Sequence, residues 1–282
     1  MSKCLFSIDV EDWYHILEVP TAPSIGVWSK MPSRVEKNFH FLLNIMDESS
    51  VKATCFFLGW IAERYPQLVL EADKRGHEIA SHGYSHELAF KMGQRRFEID
   101  VSRSKEFLEQ VIGKKVLGYR ASGFSYTTAS TWLPTSLAKV GLRYDSSLFP
   151  TSRGHGGMKG AQKLPFPIQT EYGTIIEVPI TVVSLWGKEW CLFGGGYFRL
   201  FPFRLIDFMT RQVLDKGNPV IFYIHPREID PSQPRLAMNP YRKFKTYINI
   251  NGTENKLKRL FRQFKFKRID EYLATNHRLN LQ

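Results

Sequence analysis

Two histidines stand four residues apart in Ser81-His82-Gly83-Tyr84-Ser85-His86. Neutral imidazoles suit Zn²⁺ and similar divalent ions. Alone, His-x-x-x-His is a weak signal, and the pair could equally be ordinary hydrogen-bonded histidines. Gly83 and the strand-like residues before it predict a loop curling around a ligand rather than one face of a helix. Near the start, Asp9-Val10-Glu11-Asp12 supplies three carboxylates. Two imidazoles and one carboxylate leave coordination positions open, as hydrolytic metal centres require. A second carboxylate beside the metal could act as general base. A solvated acidic loop is the plain alternative, but Ile8, Val10 and Trp13 read as a partly enclosed position. Tyr223-Ile224-His225-Pro226 ends an apolar run with a histidine, either a satisfied core residue or a general acid at a cleft mouth.

These groups need a scaffold. Apolar, β-branched or aromatic runs predict strands over Cys4–Ile8, Ala53–Leu58, Glu78–Ser81, Leu117–Arg120, Arg143–Ser146, Ile175–Val178 and Val220–Ile224. Amphipathic stretches predict helices over Val35–Met46, Ile61–Arg75, Arg95–Ile112, Ser130–Val140 and Phe203–Lys216. Ser33 reads as the cap of the first, and Gly76, Gly113, Gly141 and Gly217 close the others. Strand–helix alternation argues an α/β fold with a parallel sheet. Asp9, His82, Arg120, Asp145 and His225 each fall at the C-terminal end of a strand. In a barrel-like α/β fold those ends converge on one mouth, where active sites form.

The chain has 282 residues, 43% hydrophobic and 23% charged, proportions that exclude disorder and collagen-like repeats. No run approaches the ~18 apolar residues that span a bilayer; even Ala53 to Ala62 contains Thr54 and Gly59. Cys4, Cys55 and Cys191 are widely spaced, so neither a disulfide framework nor a cysteine zinc site is expected. The apolar start is too short for a signal-peptide core, so a cytoplasmic location is expected. Lys and Arg exceed Asp and Glu by 39 − 27 = 12, and residues 241–282 contribute 11 − 3 = 8 of that excess. There Leu257, Leu260, Phe261 and Phe264 share a helical face. Either that helix packs on the body with a solvated basic face, or the charge meets an anionic partner such as a membrane surface. No nucleic-acid motif accompanies it, so nucleic acid is not expected.

The ordered set of motifs resembles the polysaccharide deacetylases with a NodB homology domain (carbohydrate esterase family 4), and within them the subgroup associated with exopolysaccharide gene clusters. It comprises Phe6–Trp13, Ala53–Phe57, Gly76–His86, Gly118–Ala121, Tyr144–Ser147 and Ile224–Pro226, with Gly194–Arg199 also similar to the subgroup. The resemblance implies a distorted, incomplete (β/α) barrel: a catalytic domain over residues 1–240, with a basic C-terminal extension, 241–282, packed on it. Carried over, Asp9 resembles the catalytic base, His82 and His86 the metal ligands, and Arg120 the arginine that holds the base. His225 resembles the general acid, and Asp145 the acid that orients and tunes it. Because Val10 follows Asp9 where the family usually has a second aspartate, the third ligand is either Glu11 or Asp12. Ser122-Gly123 replaces the usual proline region, where a backbone N–H near Gly123 would serve the oxyanion. The fourth motif lacks its tryptophan and has Leu148 and Phe149 instead, leaving Trp13, Trp186 or Tyr197 to wall the substrate. Arg199 either binds a sugar hydroxyl, carboxylate or phosphate, or is a solvated turn residue.

The function so implied is divalent-metal-dependent N-deacetylation, with Zn²⁺ foremost and other divalent transition metals as alternatives. The substrate would be an N-acetylated amino sugar of a polysaccharide or of a lipid-linked glycan precursor, met at the inner membrane face. Deformylation, hydrolysis of a small cyclic amide, and a non-catalytic glycan-binding role are the competing readings.

Overall fold

Strand Cys4–Val10 (β1) is buried at all seven positions, which requires a neighbour on each edge and a layer on each face. A computed structural model of the chain describes residues 3–152, 156–276 and 279. The further strands are Thr54–Phe57 (β2), Glu78–Ser81 (β3), Gly118–Tyr119 (β4), Tyr144–Asp145 (β5), Phe166–Thr170 (β6), Gly173–Glu177 (β7), Val183–Leu185 (β8), Lys188–Trp190 (β9), Val220–Ile224 (β10) and Phe266–Lys267 (β11). The main sheet runs β10-β1-β2-β3-β4-β5-β7-β6. All its neighbours are parallel except the β6–β7 hairpin. The path ends at β10 and β6 without closing among the described residues, which is the incomplete (β/α) barrel expected from the sequence.

Between the strands lie helices Val35–Glu48 (α1), Gly59–Arg64 (α2), Pro66–Lys74 (α3), Ala89–Met92 (α4), Gln94–Ile112 (α5), Leu133–Lys139 (α6), Gly195–Leu200 (α7) and Phe203–Asp215 (α8). The expected single helix Ile61–Arg75 is two. Pro66 has no N–H and forces Tyr65 out of helical geometry, to φ −131° and ψ 60°. The β6 strand escaped the sequence pattern because its residues are nowhere fully buried. Ser33 does not cap α1; that task falls to Asp12, described below.

The C-terminal segment contains Pro240–Tyr247 (α9), Thr253–Gln263 (α10) and Ile269–Ala274 (α11). Leu257, Leu260 and Phe261 of α10 enter the core, where the Phe261 ring meets Phe6 of β1 edge-on at 4.9 Å. Strand β11 pairs with Cys4 and Leu5, extending the edge of β1 where β2 has not yet begun. Cys4, Cys55 and Cys191 are buried free thiols. No helix among the described residues is long and apolar enough to cross a membrane.

Candidate metal centre and adjoining cleft

Glu11 Oε1 lies 3.2 Å from His82 Nε2 and 2.9 Å from His86 Nε2, with all three side chains buried. Glu11 reaches inward because the chain turns as β1 ends, its N–H donating to the Asp9 carbonyl at 3.0 Å. His82 follows β3 and continues the ladder, donating its backbone N–H to Phe57 O at 2.8 Å. Its Nδ1–H donates to the Arg120 carbonyl at 2.7 Å, which turns Nε2 toward Glu11. His86 comes from the loop after β3 and sits in the left-handed region at φ 54°. Strain of that kind persists only where surrounding structure imposes it. Here the Asp100 carboxylate of α5 grips the loop, accepting from Tyr84 N at 2.7 Å, Ser85 N at 3.0 Å and Ser85 Oγ at 2.6 Å. A Cβ at Gly83, φ 73°, would come within 2.9 Å of that same carboxylate.

Burial alone would push the Glu11 carboxyl up, yet the charges of His86 and His225 and the hydrogen bonds from His82 and His86 hold it well below the usual range. Burial works against a charged His82 in turn, but Glu11 and Asp9 raise its pKa. The three ligand atoms lie within 4.8 Å of one another. Two imidazole nitrogens and one carboxylate oxygen fit a divalent cation of the zinc type with a position left open.

Asp12, also expected as a ligand, is not part of this cluster. Its carboxylate accepts from Trp13 N at 2.8 Å, Ser33 Oγ at 2.6 Å, Arg34 N at 3.0 Å and Val35 N at 3.3 Å. The reason is the unsatisfied N–H groups at the start of α1, which attract a carboxylate more strongly than a hydroxyl.

Asp9 Oδ1 accepts from Arg120 Nη1 at 2.7 Å, while Oδ2 faces His225 Nε2 at 3.8 Å. The Arg120 side chain is wholly buried, lies over the Phe56 ring at 4.1 Å, and also donates to Ser7 Oγ and the Ser146 carbonyl. His225 Nε2 is 3.7 Å from Glu11 Oε1, so Asp9, His225 and the cluster share one space.

Three expectations need correction. Asp145 does not hold His225: Nδ1 of that ring meets Glu228 Oε1 at 2.5 Å. Asp145 instead accepts from Ser147 Oγ and lies beside Glu177, and burial pushes both carboxyls above the usual range. Arg199 is no surface turn residue and no free substrate ligand. It is buried in α7, donating to Glu228 Oε2 at 2.9 Å, Ile248 O at 2.6 Å and Lys245 O at 3.3 Å. Trp13 is buried, its Nε1–H donating to Pro32 O at 2.9 Å, so it packs the core rather than walling a substrate. Trp186 is 76% exposed, in the turn between β8 and β9. Gly123 lies in the turn Ser122–Phe124 after β4 at φ 63°, and a Cβ on Gly156 would come within 2.8 Å of its carbonyl oxygen.

Sequence reasoning missed Glu228, Asp100 and His15. Glu228 could have been found: it lies three residues after His225 across Pro226, the spacing of a turn that folds a carboxylate back. Asp100 gives no local signal. His15 packs against His86 at 5.7 Å between ring centres and against Trp28 at 4.2 Å; burial keeps its pKa well below the usual value.

Beyond His225 the protein opens into a cleft of about 580 Å³, floored by His225 and Glu228 and walled by Phe149, Tyr197, Tyr223 and Tyr241. Tyr197 and His225 thus line the same cleft.

A family profile described as polysaccharide deacetylase matches residues 29–144, and a second, described as a domain of unknown function (DUF3473), matches residues 146–274. The first includes His82, His86 and Arg120 and the second His225 and Glu228, whereas Asp9 and Glu11 precede both. The peptidoglycan deacetylase of Helicobacter pylori is 31% identical over 107 residues, 38% of this chain and 36% of that protein. The match thus spans about a third of that curated relative's length. Among solved structures, a Mycobacterium smegmatis protein assigned to the polysaccharide deacetylases aligns with TM-score 0.60 and 21% identity, covering 94% of this chain and 86% of that one. An allantoinase aligns with TM-score 0.63 and 15% identity, covering 98% and 91%. At such identities these two likenesses concern the fold.

Proposed function

We propose that this chain, which belongs to the polysaccharide deacetylases through residues 29–144 and carries a DUF3473 domain over residues 146–274, is a metal-dependent N-deacetylase of amino-sugar glycans. One observation carries the reading: His225 Nε2 stands 3.8 Å from Asp9 Oδ2 and 3.7 Å from Glu11 Oε1, a geometry that suits a base and an acid acting at one His–His–Glu cluster. The name of the Helicobacter pylori relative supports the acyl and sugar classes.

Glu11, His82 and His86 would hold the cation. When bound, it supplies Lewis-acid polarisation of the acyl oxygen and acidifies water. The remaining work belongs to the chain. Arg120 fixes Asp9 Oδ1, so Oδ2 is the oxygen that takes the proton of the attacking water. His225 gives its Nε2 proton to the departing amine, which otherwise leaves poorly. Glu228 holds Nδ1–H, setting the tautomer that remains and steadying the ring's positive charge before transfer. A backbone N–H near Gly123, in the turn at Ser122–Phe124, would serve the oxyanion. The family's catalytic body over residues 1–240, the C-terminal extension 241–282 and a lipid-linked precursor as substrate are further parts of this proposal.

The test is a panel assay. Metal-reconstituted full-length protein is incubated with N-acetylated amino-sugar oligomers and lipid-linked precursors, and acetate is measured. Asp9→Asn lowers turnover ~10²-fold or more while metal content stays normal. Formate release, or opening of a cyclic amide without acetate release, reassigns the chain to another amide hydrolysis. No hydrolysis with the site loaded leaves a glycan-binding role.

A further inference from the structure

A general acid stands over the leaving nitrogen, so the sugar that keeps the amine must lie on the His225 side of the site. On that side is the 580 Å³ cleft, whose described lining carries more cations than acids. Four cations line it, Arg199, Arg227, Arg242 and Lys245, of which Arg199 is paired with Glu228. Its two acids are already engaged, Glu189 with Lys163 and Glu228 with Arg199, each at 2.9 Å. Arg227 Nε is buried with no hydrogen-bond partner among the described residues. Lys245 Nζ rests over the rings of Tyr197 and Tyr241, at 5.0 and 5.4 Å from their centres. Arg242 anchors one Nη on Leu17 O at 2.8 Å and still borders the cleft.

The cations are also registered to the chemistry. Arg242 and Lys245 belong to α9, and Arg199 clamps the end of that helix through Lys245 O and Ile248 O. The same guanidinium holds Glu228, which holds His225. Arg227 lies two residues from His225 on the same turn. A neutral sugar filling this cleft would exclude water from around these cations at a cost and bring no countercharge. A phosphate or carboxylate would convert that cost into charge-assisted hydrogen bonds.

We infer that the cleft receives an anionic substituent, a phosphate or a carboxylate, carried by the sugar being deacylated or by its neighbour, and that Arg227, Arg242 and Lys245 bind it. The inference rests on the deacylase reading for the position of the sugar. The preferred substrates are thus anionic amino-sugar glycans or sugar phosphates rather than neutral N-acetylglucosamine chains.

The experiment compares the metal-loaded wild type with the double variant Arg242→Gln/Lys245→Gln at low ionic strength. Three N-acetylglucosamine substrates are used: the neutral methyl glycoside, the 1-phosphate, and a disaccharide bearing a glucuronate. The wild type should favour at least one anionic substrate over the neutral one by about tenfold or more in kcat/KM. The double variant should bring that ratio close to one, and the preferred arm tells phosphate from carboxylate. A ratio near one in the wild type, or a ratio that the variant leaves intact, overturns the inference. Calorimetry with glucosamine 1-phosphate and with the deacetylated glucuronate disaccharide needs no turnover. If no substrate is hydrolysed, the deacylase reading falls, while about tenfold weaker product binding in the variant still upholds the anion site. Equal binding by both proteins, or none by the wild type, rejects it. Should the double variant fail to fold, Arg227→Gln, on a different segment, takes its place with the same expectations.

Discussion

His225 Nδ1 and Glu228 Oε1 meet at 2.5 Å across a single turn after β10. Glu228 is buried, which alone would favour its neutral form, but Arg199 and His225 hold its pKa down to about 2. It is therefore a carboxylate at every working pH, and its partner ring is fixed in orientation. Glu228→Gln should lower turnover on N-acetyl amides by ~10²-fold. Hydrolysis of an aryl acetate, whose leaving group needs no proton, should fall far less. Parallel losses on both substrates would reduce Glu228 to a structural residue.

Glu11 and Asp12 are adjacent but face different tasks. Glu11→Ala should abolish tight binding of one divalent ion, measured by metal analysis after dialysis. Asp12→Ala should keep the metal and lose stability by ~1–2 kcal/mol, because it exposes the start of α1 to unpaired N–H groups. Urea unfolding with metal analysis separates the two. A metal-free Asp12→Ala protein that unfolds like the wild type would reverse the assignment.

Much of this site was legible because its parts sit where apolar runs end. Asp9 lies near the end of β1, and His82, Arg120 and His225 directly follow β3, β4 and β10; parallel strands bring such ends together. The choice between Glu11 and Asp12 was not legible. It depends on the turn after β1 and on α1 presenting its N-terminus nearby, and neither is a local property of three consecutive carboxylates. Asp145 misled for a similar reason. It does end a strand, but β7 delivers Glu177 beside it, and its carboxylate accepts from Ser147 Oγ rather than reaching His225. Arg199 sits in a glycine-rich stretch that reads as a loop, and only the tertiary contact with Glu228 shows why a buried arginine is needed there. The break at Pro66 was written in the sequence and could have been read.

Glu78 of β3 is a buried acid away from the catalytic groups. It is bonded to Thr54 Oγ1 at 2.5 Å and Tyr144 Oη at 2.6 Å. Burial, with Asp270 nearby, pushes its pKa up to about 8 from an ordinary value of 4.5. A raised folded-state value means that its contribution is fully present below about pH 4.5 and is lost as pH rises through about 8. Thermal midpoints of wild type and Glu78→Gln should therefore diverge between pH 6 and 9, with the wild type losing ground. Midpoints that run parallel would contradict the assignment.

The basic C-terminal helix α10 places Leu257 in the core at 1% exposure. Leu257→Ala should cost ~2–5 kcal/mol in urea unfolding. A loss below ~0.5 kcal/mol, the range of surface substitutions, would mean that α10 merely rests on the body.

The central claim is that one cation held by Glu11, His82 and His86 enables amide hydrolysis between Asp9 and His225. Titrating metal-stripped protein with Zn²⁺ while following acetate release from an N-acetylated amino-sugar oligomer tests it most directly. The account predicts that activity rises from near zero to a plateau at one ion per chain, and that His82→Ala shows no rise. Full activity in the stripped protein, or a His82→Ala titration matching the wild type, would contradict it.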